Sequence, residues 1–349
     1  MNSAWINLPR HVIVGHGALD EVAAVIEDLR FANRALIVTS PTPRSIAGER
    51  IVSAVTAGGR PDPIIVEIEE TGGKAVESVI EAASDVGYVI GLGGGKAIDV
   101  AKIASHRLEH GFISVPTAAS HDGIVSGRAS IPDGSTRHSV AADPPLAVVA
   151  DTEVIANAPW TLTTAGCADI ISNYTAVRDW RLAHRLHDVE YSEYAATLSE
   201  MTAEMLVDNT DSIRPGLEES AHAVMKALVS SGVAMSIAGS SRPASGAEHL
   251  VSHQLDRLAP GQALHGHQVG VASIVIAYLQ TGETGDWQRI RDALRGLDAP
   301  TTAQSLGIEP ETLIEALTTA HEIRDRYTIL GNGISTKAAE EAATVTGVI

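Results

Sequence analysis

Residues 91–99, Gly91-Leu-Gly-Gly-Gly-Lys-Ala-Ile-Asp99, follow the apolar run Val86 to Ile90 and lead directly into the helix-period stretch Val100-Ala-Lys-Ile-Ala104. A strand, a glycine turn and a helix N-terminus are therefore expected in succession. Three consecutive residues without a Cβ let a diphosphate approach the main chain, and the unpaired first amides of the helix can donate to it. The spacing fits neither G-x-G-x-x-G nor G-x-x-x-x-G-K-[ST]. The turn by itself thus leaves two readings open, a dinucleotide site and a plain tight strand-to-helix connection.

Around this turn, residues 11–150 alternate short apolar runs with helical patterns: His11 to Gly15, Leu19 to Leu29, Arg34 to Ser40, Ser45 to Ala57, Pro63 to Ile68, Ala75 to Ser84, Tyr88 to Gly91 and Phe112 to Pro116. Such alternation predicts a parallel sheet with helices on its faces, closed by a last strand at Leu146 to Asp151. The polar loop Thr117-Ala-Ala-Ser-His-Asp-Gly123 follows one strand and the glycine turn another, and ligands gather beyond the carboxyl ends of such strands. After Thr152 the sequence becomes almost continuously helical in period. Expected helices run from Thr164 to His184, Ser192 to Asp208, Leu217 to Ala238, Ala244 to Leu255, His265 to Leu279, Asp286 to Gly296, Glu309 to Ile323 and Ser335 to Val345. A chain of 349 residues exceeds one ordinary core. Two domains are expected: an α/β dinucleotide-binding domain over 1–155 and an all-α metal- and substrate-binding domain over 156–349, packed about a cleft.

A formal net charge of −18 argues against a nucleic-acid surface, which would need clustered lysine and arginine. The only lysines are Lys74, Lys96, Lys102, Lys226 and Lys337, a balance that would suit a salt-rich cytoplasm. One cysteine, Cys167, excludes an internal disulfide and a cysteine-rich zinc site, and is read as a small buried residue. The longest apolar stretch near the end, Val269 to Leu279, is too short to span a bilayer, and the first ten residues lack the pattern of a signal peptide. A soluble cytoplasmic protein with no transmembrane segment is expected.

Position matters more than number among the 14 histidines. His249 and His253 stand at i and i+4, on one face of a helix, and His265-Gly-His267 opens the apolar helix that follows. Asp169 lies inside the apolar segment Gly166-Cys-Ala-Asp169, where an unpaired charge would cost several kcal/mol. Convergence of Asp169, His249 and His265 on one divalent cation would resolve these costs together and leave a position open to substrate. A mixed nitrogen and oxygen set suits zinc and also admits iron, nickel or manganese. The alternative is a set of surface or satisfied core histidines with no metal.

Taken in order, Gly93-Gly-Gly-Lys-Ala-Ile-Asp99, Pro116-Thr-Ala-Ala-Ser-His-Asp-Gly-Ile124, Asp169, Ser241-Arg-Pro-Ala-Ser-Gly-Ala-Glu-His249 and His265-Gly266 resemble the glycerol-1-phosphate dehydrogenases. These belong to the iron-containing alcohol dehydrogenase and glycerol dehydrogenase superfamily, which also includes dehydroquinate synthase. The resemblance spans nearly the whole chain, from Val14-Gly-His-Gly-Ala-Leu19 onward. It implies a Rossmann-like N-terminal domain and a helical C-terminal domain in a dehydroquinate synthase-like architecture. It also implies one divalent metal per subunit, zinc in the first place, held between the domains by Asp169, His249 and His265. NAD or NADP contacts are implied at Gly95, Lys96, Ala97, Ile98, Asp99, Thr117, Ala118, Ala119, Ser120 and Ser126. Substrate contacts are implied at Asp122, His253 and Asp169. The implied reaction is reversible reduction of dihydroxyacetone phosphate to sn-glycerol 1-phosphate, the backbone of archaeal ether lipids, by a cytoplasmic homo-oligomer.

Chemistry adds further assignments. His253 is a candidate for the group that shuttles the proton, or a histidine that only orients substrate, and Asp122 would hold a substrate hydroxyl, help relay that proton, or only cap its loop. Arg242 can grip two phosphate oxygens at once, or instead position the helix of His249. Strand Ala35 to Thr39 ends without the acid that repels a ribose 2′-phosphate, so NADPH should be accepted, with Arg44 able to assist it. His267 stands where the superfamily often has Glu, and it is left outside the ligand set. The rival readings are a glycerol or other polyol dehydrogenase, a dehydroquinate synthase-like lyase and a noncatalytic metal- or nucleotide-binding protein.

Overall fold

The structure, a computed structural model, describes residues 5–133 and 136–349. The start of the segment tested above for a signal peptide, residues 1–4, lies outside the described residues. Six strands form one parallel sheet: β1 (His11–Gly15), β2 (Arg34–Thr39), β3 (Ile64–Glu67), β4 (Val86–Gly93), β5 (Gly111–Pro116) and, after a separate hairpin of β6 (Arg128–Asp133) and β7 (Thr136–Ala141), β8 (Ala147–Asp151). Their order is β1-β8-β5-β4-β2-β3. The hairpin is an addition to the sequence expectation, because its period-two signal amounts to Ala129 and Ile131, both buried.

Parallel strands covered on both faces read as unbroken apolar runs, and Leu36-Ile-Val38 and Val89-Ile90 are of this kind, all buried. They pair in register, Leu36 with Val89 and Ile37 with Ile90. The chain continues from β2 outward to the edge strand β3 but from β4 toward β5 on the other side, so the connections diverge between β2 and β4. Ligands of open α/β sheets sit at such a divergence, beyond the carboxyl ends of the strands. On one side of it a cavity of about 820 Å3 runs along the helix of residues 41–56 against β2 and β3, lined among others by Ile37, Thr39, Arg44, Ser53, Ile65 and Glu67.

The helices of the first half are α1 (Val22–Asp28), α2 (Pro41–Thr56), α3 (Gly73–Ala82), α4 (Gly95–Arg107) and α5 (Thr152–Ala156). Those that follow are α6 (Trp160–Ile171), α7 (Asn173–His187), α8 (Glu193–Asp208), α9 (Glu218–Ala238), α10 (Ala247–Leu258), α11 (His265–Thr281), α12 (Trp287–Gly296), α13 (Pro310–Thr319) and α14 (Thr336–Thr346). The single helix expected from Thr164 to His184 is two, α6 and α7, separated at Ser172, whose hydroxyl donates to the Asp169 carbonyl at 2.6 Å. Cys167 is buried in α6, where desolvation pushes its thiol up to about 12 and leaves it an inert core residue.

By their contacts the residues divide into two compact units, 1–160 with 215–236, and 161–214 with 237–349. The first unit is the sheet with α1 to α5, and it also takes in α9 from beyond α6, α7 and α8. Sequence periodicity groups α9 with the helices around it, because what draws it to the first unit is non-local packing that no local period records. Among the described residues, α9 is the one helix long and apolar enough to cross a membrane by length and composition. In the fold it is a packed helix, with Val224, Met225, Leu228 and Ala234 buried.

Candidate metal centre and nucleotide-binding turn

In the second unit, α6 supplies Asp169, α10 supplies His249 and His253, and His265 opens α11. His249 Nε2 stands 3.5 Å and His265 Nε2 3.9 Å from Asp169 Oδ1, and the three ligand atoms all lie within 4.8 Å of one another. These separations are long for hydrogen bonds. They suit a shared cation, since the ligand atoms of a tetrahedral site with bonds of about 2.1 Å stand roughly 3.4 Å apart. The close approach depends on Gly266, where a Cβ would lie 2.0 Å from the Ala165 carbonyl oxygen, so only a bare α-carbon lets the first turn of α11 lie against α6.

Hydrogen bonding fixes which nitrogen of each ring faces Asp169. His249 Nδ1–H donates at 3.0 Å to Glu248 Oε1, a buried carboxylate that also accepts from the Gly246 amide and from the Thr175 hydroxyl at 2.8 Å. Ser252 Oγ spends its proton on Gln268 Oε1 at 2.7 Å, so it accepts from His265 Nδ1–H at 2.9 Å. Both rings therefore turn an Nε2 toward Asp169, the tautomer a divalent cation requires. Residues and pairing together fit a metal. Burial alone would lower the His249 pKa, but the carboxylates of Asp169 and Glu248 outweigh it and raise it to about 9.

His253 is buried one turn beyond His249, its ring stacked on that of His265 with centroids 5.9 Å apart. His267 is bonded instead to the Thr164 hydroxyl at 2.9 Å, and desolvation brings its pKa down to about 4, so it stays neutral. Arg242 is half-buried, its pKa lowered by desolvation against the pull of the Asp179 and Asp325 carboxylates. The segment that carries it is held by two further arginines. Arg326 donates to Ser241 Oγ at 2.9 Å and to the Ser245 carbonyl, and Arg324 donates to Ser245 Oγ at 2.8 Å.

Sequence reasoning missed Glu248, Asp179, Arg324 and Arg326. Asp179 is buried on α7 and accepts from the Ala247 amide at 2.8 Å, from the Ile329 amide at 2.9 Å and from Gln280 Nε2 at 2.9 Å. It thereby fixes the N-terminus of α10, the helix of His249 and His253. Desolvation first, then the Glu248 carboxylate, raise its pKa to about 7. The sequence does not mark it, because α7 is rich in arginine and histidine and an acid between Arg178 and Trp180 reads as part of a solvated face.

In the first unit, Gly94 precedes the first turn of α4, which contains no acidic residue, and no side chain caps its amides. Thr117 is held beside the turn by its amide, which donates to the Gly93 carbonyl at 3.0 Å. Among the residues expected to bind the dinucleotide, Lys96 is exposed and Gly95 and Ser120 are half-buried, whereas Ala97, Ile98, Asp99, Thr117, Ala118, Ala119 and Ser126 are buried. Asp99 Oδ2 accepts from the Ser130 amide at 3.0 Å, and Ser126 Oγ from the Arg128 amide at 3.3 Å. The His121 ring stands against Gly95, and its Nδ1 accepts from the Gly123 amide at 2.9 Å. Asp122 heads a short 3-10 turn and accepts from Ser231 Oγ of α9 at 2.7 Å. Arg44 is ion-paired with Glu67 at the mouth of the cavity.

A family model described as iron-containing alcohol dehydrogenase matches residues 13–159. The glycerol-1-phosphate dehydrogenase [NAD(P)+] of Natronomonas pharaonis is 68% identical over 349 residues, covering 99% of each chain. The chain belongs to the glycerol-1-phosphate dehydrogenase family. Its fold is shared with more distant proteins of known structure. A probable glycerol dehydrogenase from Sinorhizobium meliloti superposes with a TM-score of 0.81 at 20% identity, covering 99% of this chain and 98% of the other. The sulfoacetaldehyde reductase of Bifidobacterium kashiwanohense, solved in complex with NAD+, superposes with a TM-score of 0.76 at 15% identity over the full length of both chains. As a family member this chain is an NAD(P)-dependent oxidoreductase, and NAD(P) and a metal are consistent with both sites above.

The second-unit geometry predicts that Glu248→Gln and Ser252→Ala each weaken divalent metal binding by about 10–100-fold, read by competition with a chromophoric chelator. Because His249 holds its proton up to about pH 9 without metal, uptake at pH 7 should release about one proton, measured in weakly buffered solution. Metal affinity should accordingly rise with pH until His249 deprotonates.

Proposed function

We propose that this protein reduces dihydroxyacetone phosphate reversibly to sn-glycerol 1-phosphate with NADH or NADPH, using one zinc ion held by Asp169, His249 and His265. The observation that carries the reading is the convergence of one carboxylate and two imidazoles whose Nε2 atoms face it, in a family member nearly as long as its relatives. Zinc is the metal that the family resemblance implies in the first place, and a carboxylate with two imidazoles is a set that holds it, as it would also hold iron.

Reduction moves a hydride to the ketone carbon and a proton to its oxygen. When bound, the cation supplies Lewis-acid stabilisation of charge on that oxygen, and NAD(P)H supplies the hydride. The chain's own residues do the rest. Asp169, besides ligating, lies against substrate. Asp122 accepts from a substrate hydroxyl and fixes which carbonyl face is presented. His253 delivers the proton to the oxygen and takes it back in the oxidative direction. Arg242 pairs with the phosphate, its loop braced by Arg324 and Arg326. Gly95 to Asp99, Thr117 to Ser120 and Ser126 form the dinucleotide site, in which the amides of the first turn of α4 face the diphosphate. Trp5, Ile6 and Leu8 are exposed apolar residues beside the edge strand β1, which supports a homo-oligomer.

Turnover of dihydroxyacetone phosphate that oxidises NADH or NADPH, is lost to a chelator, is restored by zinc and yields the sn-1 enantiomer is the expected result. The product would be identified with enzymes specific for each glycerol phosphate enantiomer. Activity confined to unphosphorylated glycerol would overturn the reading in favour of a polyol dehydrogenase. Loss of the phosphate contact in Arg242→Ala should raise KM for dihydroxyacetone phosphate by about 10–100-fold, in line with about 1.5–3 kcal/mol for a charge-assisted hydrogen bond.

A further inference from the structure

Lys102 is the most deeply buried charge in the first unit, with no exposed surface, and nothing in the reaction as described uses it. It stands on α4 one turn past Asp99, and its Nζ donates to the carbonyls of Gly123 and Arg128, at opposite ends of the segment that follows Asp122. Asp99 Oδ1 lies 3.8 Å from that ammonium, and Asp99 Oδ2 takes the Ser130 amide just beyond. Burying an ammonium is costly unless its partners are well placed, and a methionine would fill similar space without the cost. What the lysine adds is a grip on main-chain oxygens, which an apolar side chain cannot have.

The opposite side of the segment is gripped by α9. Ser231 Oγ donates to Asp122 Oδ2 at 2.7 Å, and at the next residue, Gly232, a Cβ would lie 2.8 Å from Val125 Cβ and 3.2 Å from the Ser126 amide. The α9 backbone therefore rests directly on the loop, and that contact fixes where the Ser231 hydroxyl stands. Ser231 itself is buried.

We propose that Ser231 and Lys102 are positioning residues for Asp122, the serine fixing its carboxylate and the lysine fixing the main chain that carries it. The inference rests on Asp122 being a substrate contact. It assigns to a helix from the middle of the chain, and to a lysine outside the glycine turn itself, the task of aiming a carboxylate at the substrate.

The test uses full-length, metal-loaded protein. Ser231→Ala should raise KM for dihydroxyacetone phosphate or lower kcat/KM by about tenfold, leaving the Kd for NADPH, read by nucleotide fluorescence, within about twofold. Ser231→Thr, which keeps the hydroxyl, should recover most of the loss. Lys102→Met should speed amide hydrogen exchange across residues 122–130 and lower kcat/KM further, and Lys102→Arg should restore neither, because its planar fork does not match two converging carbonyls. Wild-type kinetics in Ser231→Ala, or equal losses for substrate and NADPH, would overturn the proposal. If the unsubstituted protein fails to turn over dihydroxyacetone phosphate, the functional reading fails instead. Amide exchange at residues 122–126 in Ser231→Ala then still decides the positioning role, faster exchange supporting it and unchanged exchange refuting it.

Discussion

The carboxylate of Asp169, buried among apolar neighbours on α6, has to be compensated, and the helices that bring compensation are the ones that build the metal centre. His249 comes from α10 and His265 from α11, with Gly266 removing the atom that would hold α11 away. In the absence of a cation the same carboxylates keep His249 protonated, so the site holds positive charge in either state, one unit as a proton and two as a divalent ion. The polar shell extends outward through Glu248 to Thr175 and through Ser252 to Gln268, all buried and all hydrogen-bonded. A half-satisfied network of this kind would be worse than an apolar core, which explains why so many partners are supplied.

The first unit meets a different constraint, a helix N-terminus whose amides no side chain caps. The glycine turn leaves the first amides of α4 without a side-chain cap or an acid in the first turn, beside the divergence of the connections after β2 and β4. The face of α4 turned away from the turn is charged as well, through Asp99 and Lys102, and serves the neighbouring loop. One helix thus combines a bare end for a ligand with a charged flank for the protein.

Much of this was legible in the sequence, and the parts that were not share a cause. The six parallel strands announce themselves as apolar runs such as Leu36-Ile-Val38, and Asp169, His249 and His265 stand out because a carboxylate in an apolar helix and an i, i+4 histidine pair are local patterns. The β6–β7 hairpin escaped notice because Ala129 and Ile131 are too short an alternation. Glu248 was hidden by being adjacent to His249, where helical spacing does not suggest contact, and yet its carboxylate folds back onto the neighbouring ring. Asp179 gave no signal like that of Asp169, since the arginines and histidines of α7 make an acid there look solvated. Arg324 and Arg326 lie about 80 residues from the serines they hold, and no local period encodes such a contact.

The interleaving of the units also governs the order in which the chain can mature. Because α9 belongs with residues 1–160, the polypeptide leaves the first unit, builds part of the second and returns before leaving again. During synthesis the sheet can assemble early, but the loop of Asp122 has no Ser231 to bind until residue 231 has cleared the ribosome, by which time α6, α7 and α8 are already outside. The first unit therefore completes only when residue 236 is out, with the first piece of the second unit, residues 161–214, already waiting for residues 237–349.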